Sequence, residues 1–192
     1  MTPAALLRHH LAALALRFQH AVRDAPSDFS SFDAGHGVRA PSELVAHIAQ
    51  VLSLAGRLLE AEDGPTVAAD ATWADRMLAV HEALARLDAR LAGPDFAADP
   101  DVVGRVLHGP LVDAGTHVGQ LVLLRRLAGS PVAPGSYLRA DVRAGRVGPD
   151  QPAPPSPTAA AAPDPEGRAR TLMRALFFGQ AWIADALLAA DP

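Results

Sequence analysis

Pro110-Leu111-Val112-Asp113-Ala114-Gly115-Thr116-His117-Val118-Gly119-Gln120-Leu121-Val122-Leu123-Leu124-Arg125-Arg126-Leu127 has the spacing of a helix. Its inward stripe is predicted to run through Val103, Val106, Pro110, Asp113, His117, Leu121 and Leu124, in a helix from about Asp101 to Leu127 that closes at Gly129. Asp113 and His117 are four residues apart, so a carboxylate and an imidazole share one face, one turn apart, where both can grip the same ion. The same helix carries Gly104, Gly109, Gly115 and Gly119, each costing about 1 kcal/mol against Ala. Pro110 removes an internal hydrogen bond and is expected to bend the helix one turn before Asp113. Gly115 and Gly119 would leave a flat strip for close approach of another helix.

Four further segments read as helices. The first runs from about Pro3 to Asp24 on Leu7, Leu11, Leu14, Phe18 and Val22. The second begins at Pro41-Ser42-Glu43, where Pro suits a first turn and the acid suits the positive helix end. Its stripe is Leu44, His47, Ile48, Val51, Leu54 and Leu58, stopped by Asp63-Gly64-Pro65. The third spans about Thr72 to Leu91 on Trp73, Met77, Val80, Leu84, Leu87 and Leu91, and a last one covers roughly Glu166 to Ala189. Between residues 130 and 165 prolines are too dense for a helix or a central strand. There, Tyr137 to Val147 is expected to pack on the bundle and a Pro/Ala-rich loop at about 150–164 to be exposed and mobile. The fold class is all-α: a single domain over 1–192, a four-helix bundle with an added C-terminal helix.

Composition narrows the function. The chain has 192 residues, 49% of them apolar and only 5% aromatic, so Leu, Ala and Val must build the core, which favours helices. All 17 basic residues are Arg, and the net charge is −4, which argues against nucleic acid or an anionic membrane as partner. Cysteine is absent, which excludes disulfides, thiolate metal sites and cysteine nucleophiles. Arg8, His9, His10 and Arg17 interrupt the apolar start, so no signal peptide is read there, and no stretch reaches the roughly 20 apolar residues of a membrane span. A cytoplasmic location is the expectation.

His47 interrupts the apolar stripe of the second helix and supplies a third candidate ligand beside Asp113 and His117. Two imidazoles and a carboxylate suit Zn, Ni, Fe or Mn, and without thiolates little selects among them. The same three residues are also compatible with a metal-free buried polar network, or with an ordinary i,i+4 pair. His36 and Arg39 lie on the connection before the second helix and could reach a pocket at the bundle end, Arg39 pairing with an anionic substrate. His81 edges toward the core of the third helix, and Tyr137 stands in a segment that could cover a pocket. His108 is out of phase with His117, and His9, His10 and His20 read as solvated. No nucleophile elbow, phosphate loop or paired Glu-x-x-His motif occurs.

Pro41-Ser42-Glu43-Leu44-Val45-Ala46-His47-Ile48, followed far downstream by His117-Val118-Gly119-Gln120-Leu121, resembles the DinB-like (DinB/YfiT) superfamily over roughly residues 1 to 130. Arg125-Arg126-Leu127-Ala128-Gly129 and the segment Ala140 to Gln151 are similar to one uncharacterised subgroup of it. The resemblance implies an up-down-down-up four-helix bundle, a homodimer, and a Zn, Ni or other divalent ion on three histidines. It places His47 and His117 on two of those positions and Asp113 on the third, a departure that changes reach and charge. It further suggests a metal-dependent, thiol-dependent transferase or hydrolase acting on a small molecule, with a low-molecular-weight thiol as co-substrate. A metal-free structural or ligand-binding dimer is the alternative.

Overall fold

The computed structural model describes residues 2–61, 64–97 and 99–157. Among these there is no strand, and no helix is long and apolar enough to cross a membrane. The expected C-terminal helix at 166–189 and the 158–164 part of the proline-rich loop lie outside the described residues.

Helix α1 (Pro3–Val22) starts where the Thr2 side chain accepts the Ala5 N–H at 3.2 Å. Its expected stripe is fully buried, from Leu7 at 0% exposure to Val22 at 5%. Just past its end, Asp24 adopts φ +53° and turns the chain. The freed carbonyls of that end are taken by a buried cation: Arg125 donates to Ala21 O (3.2 Å), Arg23 O (2.9 Å) and Asp24 O (3.3 Å). A cation at a helix C-terminus satisfies both the orphan acceptors and the helix dipole. Burial pulls the Arg125 guanidinium below its ordinary pKa.

Helix α2 (Pro41–Leu58) opens with the Glu43 carboxylate accepting the Ala40 N–H at 2.9 Å, and α3 (Trp73–Ala92) with Thr72 and Asp75 capping each other's backbone N–H. Leu44, Ile48, Leu52 and Ala55 of α2 are buried, whereas Leu54 is 43% exposed. The sequence stripe therefore misplaced Leu54, because the buried face drifts toward Leu52, Ala55 and Leu59. In α3, Val80, Ala83, Leu84, Leu87 and Leu91 are buried, with Trp73 and Met77 packed partly buried against them. Arg8 and Asp88 pin α1 to α3 through a two-pronged pair at 2.9 and 3.0 Å.

The fourth rod is not one regular helix. Helix α4 (Pro100–Val106) runs into a π-helical turn (Leu107–Leu111) containing Pro110, and α5 (Val112–Leu127) continues from it. The Val112 N–H bonds back to the Leu107 carbonyl, five residues earlier. Widening the turn accommodates a proline that has no N–H to donate. The expected bend thus takes the form of a π turn. It also changes the phase: Val106, Pro110, Leu111, Ala114, Val118, Leu121, Leu124 and Arg125 are buried, while Asp113 is exposed and His117 partly buried at the edge. Gly115 and Gly119 face open space, so among the described residues no helix uses them for close approach.

In the bundle, α1 packs on α3 and α5, and α2 packs on α3 and α5, so α1 and α2 lie across a diagonal. The segment after Gly129 folds back along the rods. Val147 is 5% exposed, and Gln151, at 5%, donates to Arg146 O and Gly148 O. Pro154 is buried as well, and Arg23 donates to the Gln151 carbonyl. The expectation that residues from 150 onward are exposed therefore fails at Gln151 and Pro154. There the chain meets its own backbone carbonyls and α1, and Tyr137 is only partly buried.

Candidate metal centre

Helices α2 and α5 are neighbours, and each brings histidine to their shared edge. His47 Nε2 lies 3.9 Å from Asp113 Oδ2, and His117 Nε2 lies 3.3 Å from Asp113 Oδ1. The two imidazoles meet edge to face with centroids 4.7 Å apart. One ligand atom from each of the three residues lies within 4.8 Å of the others, and no other such group occurs among the described residues. The three residues singled out from spacing are thus together in space. They do not sit inside the bundle, however: the Asp113 side chain is 49% exposed, that of His47 30%, and that of His117 12%.

The hydrogen bonding of His117 decides what its ring can offer. Its Nδ1 is 2.8 Å from Gln120 Oε1, one turn further along the same helix. A carbonyl oxygen accepts, so Nδ1 carries the proton and, in the neutral ring, Nε2 presents a lone pair toward the carboxylate. A ligating histidine is oriented by the same device, a second acceptor on its other nitrogen. Two acceptors facing each other at 3.3 Å call for a cation between or beside them, either a proton on the imidazole or a metal ion. Tetrahedral ligation at about 2.1 Å implies ligand atoms about 3.4 Å apart. The Asp113–His117 separation already meets that figure, and His47 Nε2, 3.9 Å from the carboxylate, lies somewhat beyond it. A donor set of two imidazoles and a carboxylate fits Zn or Ni.

A cleft of about 540 Å³ adjoins this edge, and His117 and Gln120 form part of its wall. Leu44, Leu123, Leu124 and Leu127 supply apolar surface, and His36 and Arg39 stand on the loop that closes one side. The two loop residues suggested by sequence are therefore beside the candidate centre. Gln120, Leu123 and Leu127 were not singled out. Gln120 was findable as the i+3 neighbour of His117, but nothing local separates a leucine that lines a cleft from one that fills a core.

His81 and Tyr137, weighed as substrate-binding candidates with packing as the plainer reading, do not line this cleft. His81 is 4% exposed. Its Nδ1 bonds to Val147 O at 2.8 Å, Nε2 is 3.1 Å from the Gln19 amide oxygen, and the ring abuts Phe18. Burial lowers its pKa, opposed by the Val147 carbonyl. The Tyr137 hydroxyl hydrogen-bonds His20 Nδ1 at 2.8 Å, and its ring lies under the Arg17 guanidinium, 4.0 Å from the ring centroid. Burial raises the Tyr137 pKa, with the Arg17 charge acting against it. His20, read as solvated, is in fact only 8% exposed, because the returning tail covers it. Its pKa is lowered by burial and then by the Arg23 charge, while the Ala133 carbonyl opposes both. His10 is partly buried too, and its pKa falls for the same first reason. His9 and His108 are exposed, as expected.

No family model matches the chain, and no curated protein or solved structure is significantly similar to it.

Proposed function

We propose that this protein binds a divalent metal through His47, Asp113 and His117 and acts on a small molecule held in the adjoining cleft. The observation that carries the reading is the convergence of three ligand atoms from two helices within 4.8 Å. The Gln120 contact, which turns the His117 Nε2 lone pair toward the other two ligands, supports it. The reaction class proposed is transfer to, or hydrolysis of, a small electrophile, with a low-molecular-weight thiol as the co-substrate that the DinB-like resemblance suggests. The up-down-down-up arrangement and a homodimer belong to the same proposal. A bound divalent ion would supply Lewis acidity. The chain's own part is to fix two imidazoles and a carboxylate on neighbouring rods, to orient one imidazole through Gln120, and to wall the cleft with leucines.

A metal-free bundle is the second reading, favoured by the 49% exposure of the Asp113 side chain and by its simple i,i+4 relation to His117. Metal analysis of untagged protein, with Zn and Ni titrations, separates the two. One ion per chain, lost in His117→Ala, is the expected result. Sub-stoichiometric metal that His117→Ala leaves unchanged would establish the second reading, with the histidine–carboxylate cluster as an ordinary surface pair.

A further inference from the structure

The loop before α2 is built to present two side chains that nothing in the described structure uses. Gly35 and Gly37 have φ +74° and +73°, and His36 between them has φ +56°. Three consecutive left-handed residues are uncommon, and His36 is there without the freedom of glycine. A Cβ at either glycine would meet nothing, so both serve the backbone path and not a close contact. The path is held locally: the Asp33 carboxylate accepts the Gly35 N–H at 2.7 Å, and Gly35 O accepts the Val38 N–H at 3.1 Å. Asp33 and, one residue past Arg39, the Ala40–Glu43 cap therefore engage the nearby acids with backbone N–H groups. Among the described residues neither His36 nor Arg39 makes a hydrogen bond, ion pair or ring contact, and both line the cleft.

Apart from His117 and Gln120 at the metal edge, the rest of the cleft is apolar. Leu44 and Leu124, each 2% exposed, form its floor, while Val38, Leu123 and Leu127 stay 48%, 53% and 58% exposed along its sides. A volume of about 540 Å³ is in the range of small-molecule sites. An apolar trough with an unpartnered guanidinium and an imidazole on one lip matches a ligand with a hydrocarbon body and one anionic group. Planar guanidinium pairs best with a carboxylate or a phosphate. A dianionic phosphate is disfavoured, because only one permanent cation lines the cleft and Asp113 lies one turn from His117 on its wall.

We propose that the cleft binds a small amphipathic carboxylate, its chain along Leu44, Leu123, Leu124 and Leu127 and its carboxylate at Arg39 and His36. This names the substrate class for the metal reading above. It rests on that reading for the chemistry but not for binding, since the carboxylate site is on the loop and not on the ion.

Calorimetric titration of the full chain, metal-free and Zn-loaded, with octanoate, octylamine and inorganic phosphate tests it. Octanoate is expected to bind both forms within about threefold of each other and at least tenfold more tightly than octylamine, with no binding of phosphate. Arg39→Gln should weaken octanoate at least fivefold, His36→Gln less, and Leu123→Asp should abolish binding while circular dichroism stays unchanged. Absence of octanoate binding in both forms overturns the proposal. So does binding that requires Zn and ignores Arg39→Gln, which would place the carboxylate on the ion instead. Zn stoichiometry in the same samples reports on the metal reading separately, so either can fail alone.

Discussion

His47 and His117 at the α2–α5 edge, and His20 and His81 beneath the returning tail, are the same side chain in opposite circumstances. Under the tail, His81 has both ring nitrogens within hydrogen-bond distance of an oxygen, and His20 has the Tyr137 hydroxyl on one and the Ala133 carbonyl near the other. Such imidazoles tie residues 131–157 to α1 and α3. At the α2–α5 edge only one nitrogen of His117 is occupied, by Gln120, and both Nε2 atoms point at a single half-exposed carboxylate. Among the described residues, three potential ligand atoms converge there and nowhere else. Burial of a histidine in this molecule thus marks packing under the tail, while the convergence of ligand atoms lies at a more exposed edge.

Substitutions should split the two regions cleanly. The largest effect is expected from His81→Ala, which removes a buried ring and leaves the Val147 carbonyl unpaired. A loss of about 3 kcal/mol in chemical denaturation is predicted, with Zn affinity unchanged. His117→Ala should do the reverse, lowering Zn affinity by about 100-fold in a competition titration while the denaturation midpoint stays put. If it instead destabilises the fold as much as His81→Ala does, the edge is as structural as the tail and the contrast fails. Gln120→Ala should cost about tenfold in Zn affinity, the usual scale for a group that orients a ligand.

Acid should act on the tail first. Burial lowers the pKa of His10, His20 and His81 from the ordinary value of 6.5. Below pH 6.5 the unfolded chain therefore binds protons that the folded chain refuses, so stability present above that pH is lost as the pH falls toward 5. Thermal melts from pH 7.5 to 5 should show this loss, and His81→Gln should make the slope shallower. Tyr137→Phe is the smallest change, about 1 kcal/mol, because only the hydrogen bond to His20 is removed. An unaltered melt would mean that the hydroxyl carries no net weight.

Much of the architecture was legible residue by residue. Leu7, Leu11, Leu14, Phe18 and Val22 recur with helical period because each must face the same neighbours, and all are buried. Leu54 misled because a stripe read at fixed spacing drifts against the true buried face over a helix of 18 residues. Pro110 announced a disturbance, but a kink and a π turn share that signal, and only the Leu107–Val112 bond distinguishes them. His20 read as solvated because what buries it includes Tyr137, more than a hundred residues away in sequence.

The pairing of Asp113 with His117 follows from the 100° and 1.5 Å that each residue adds to a helix, and so it could be had from spacing alone. The cysteine-free donor set and the helical class were likewise properties of the chain as written. Which way α2 is turned against α5 is another matter, since that rotation results from every interdigitating side chain at once and no local pattern encodes it. It brought His47 to the pair, left Asp113 in partial contact with solvent, and opened the leucine-walled cleft beside them.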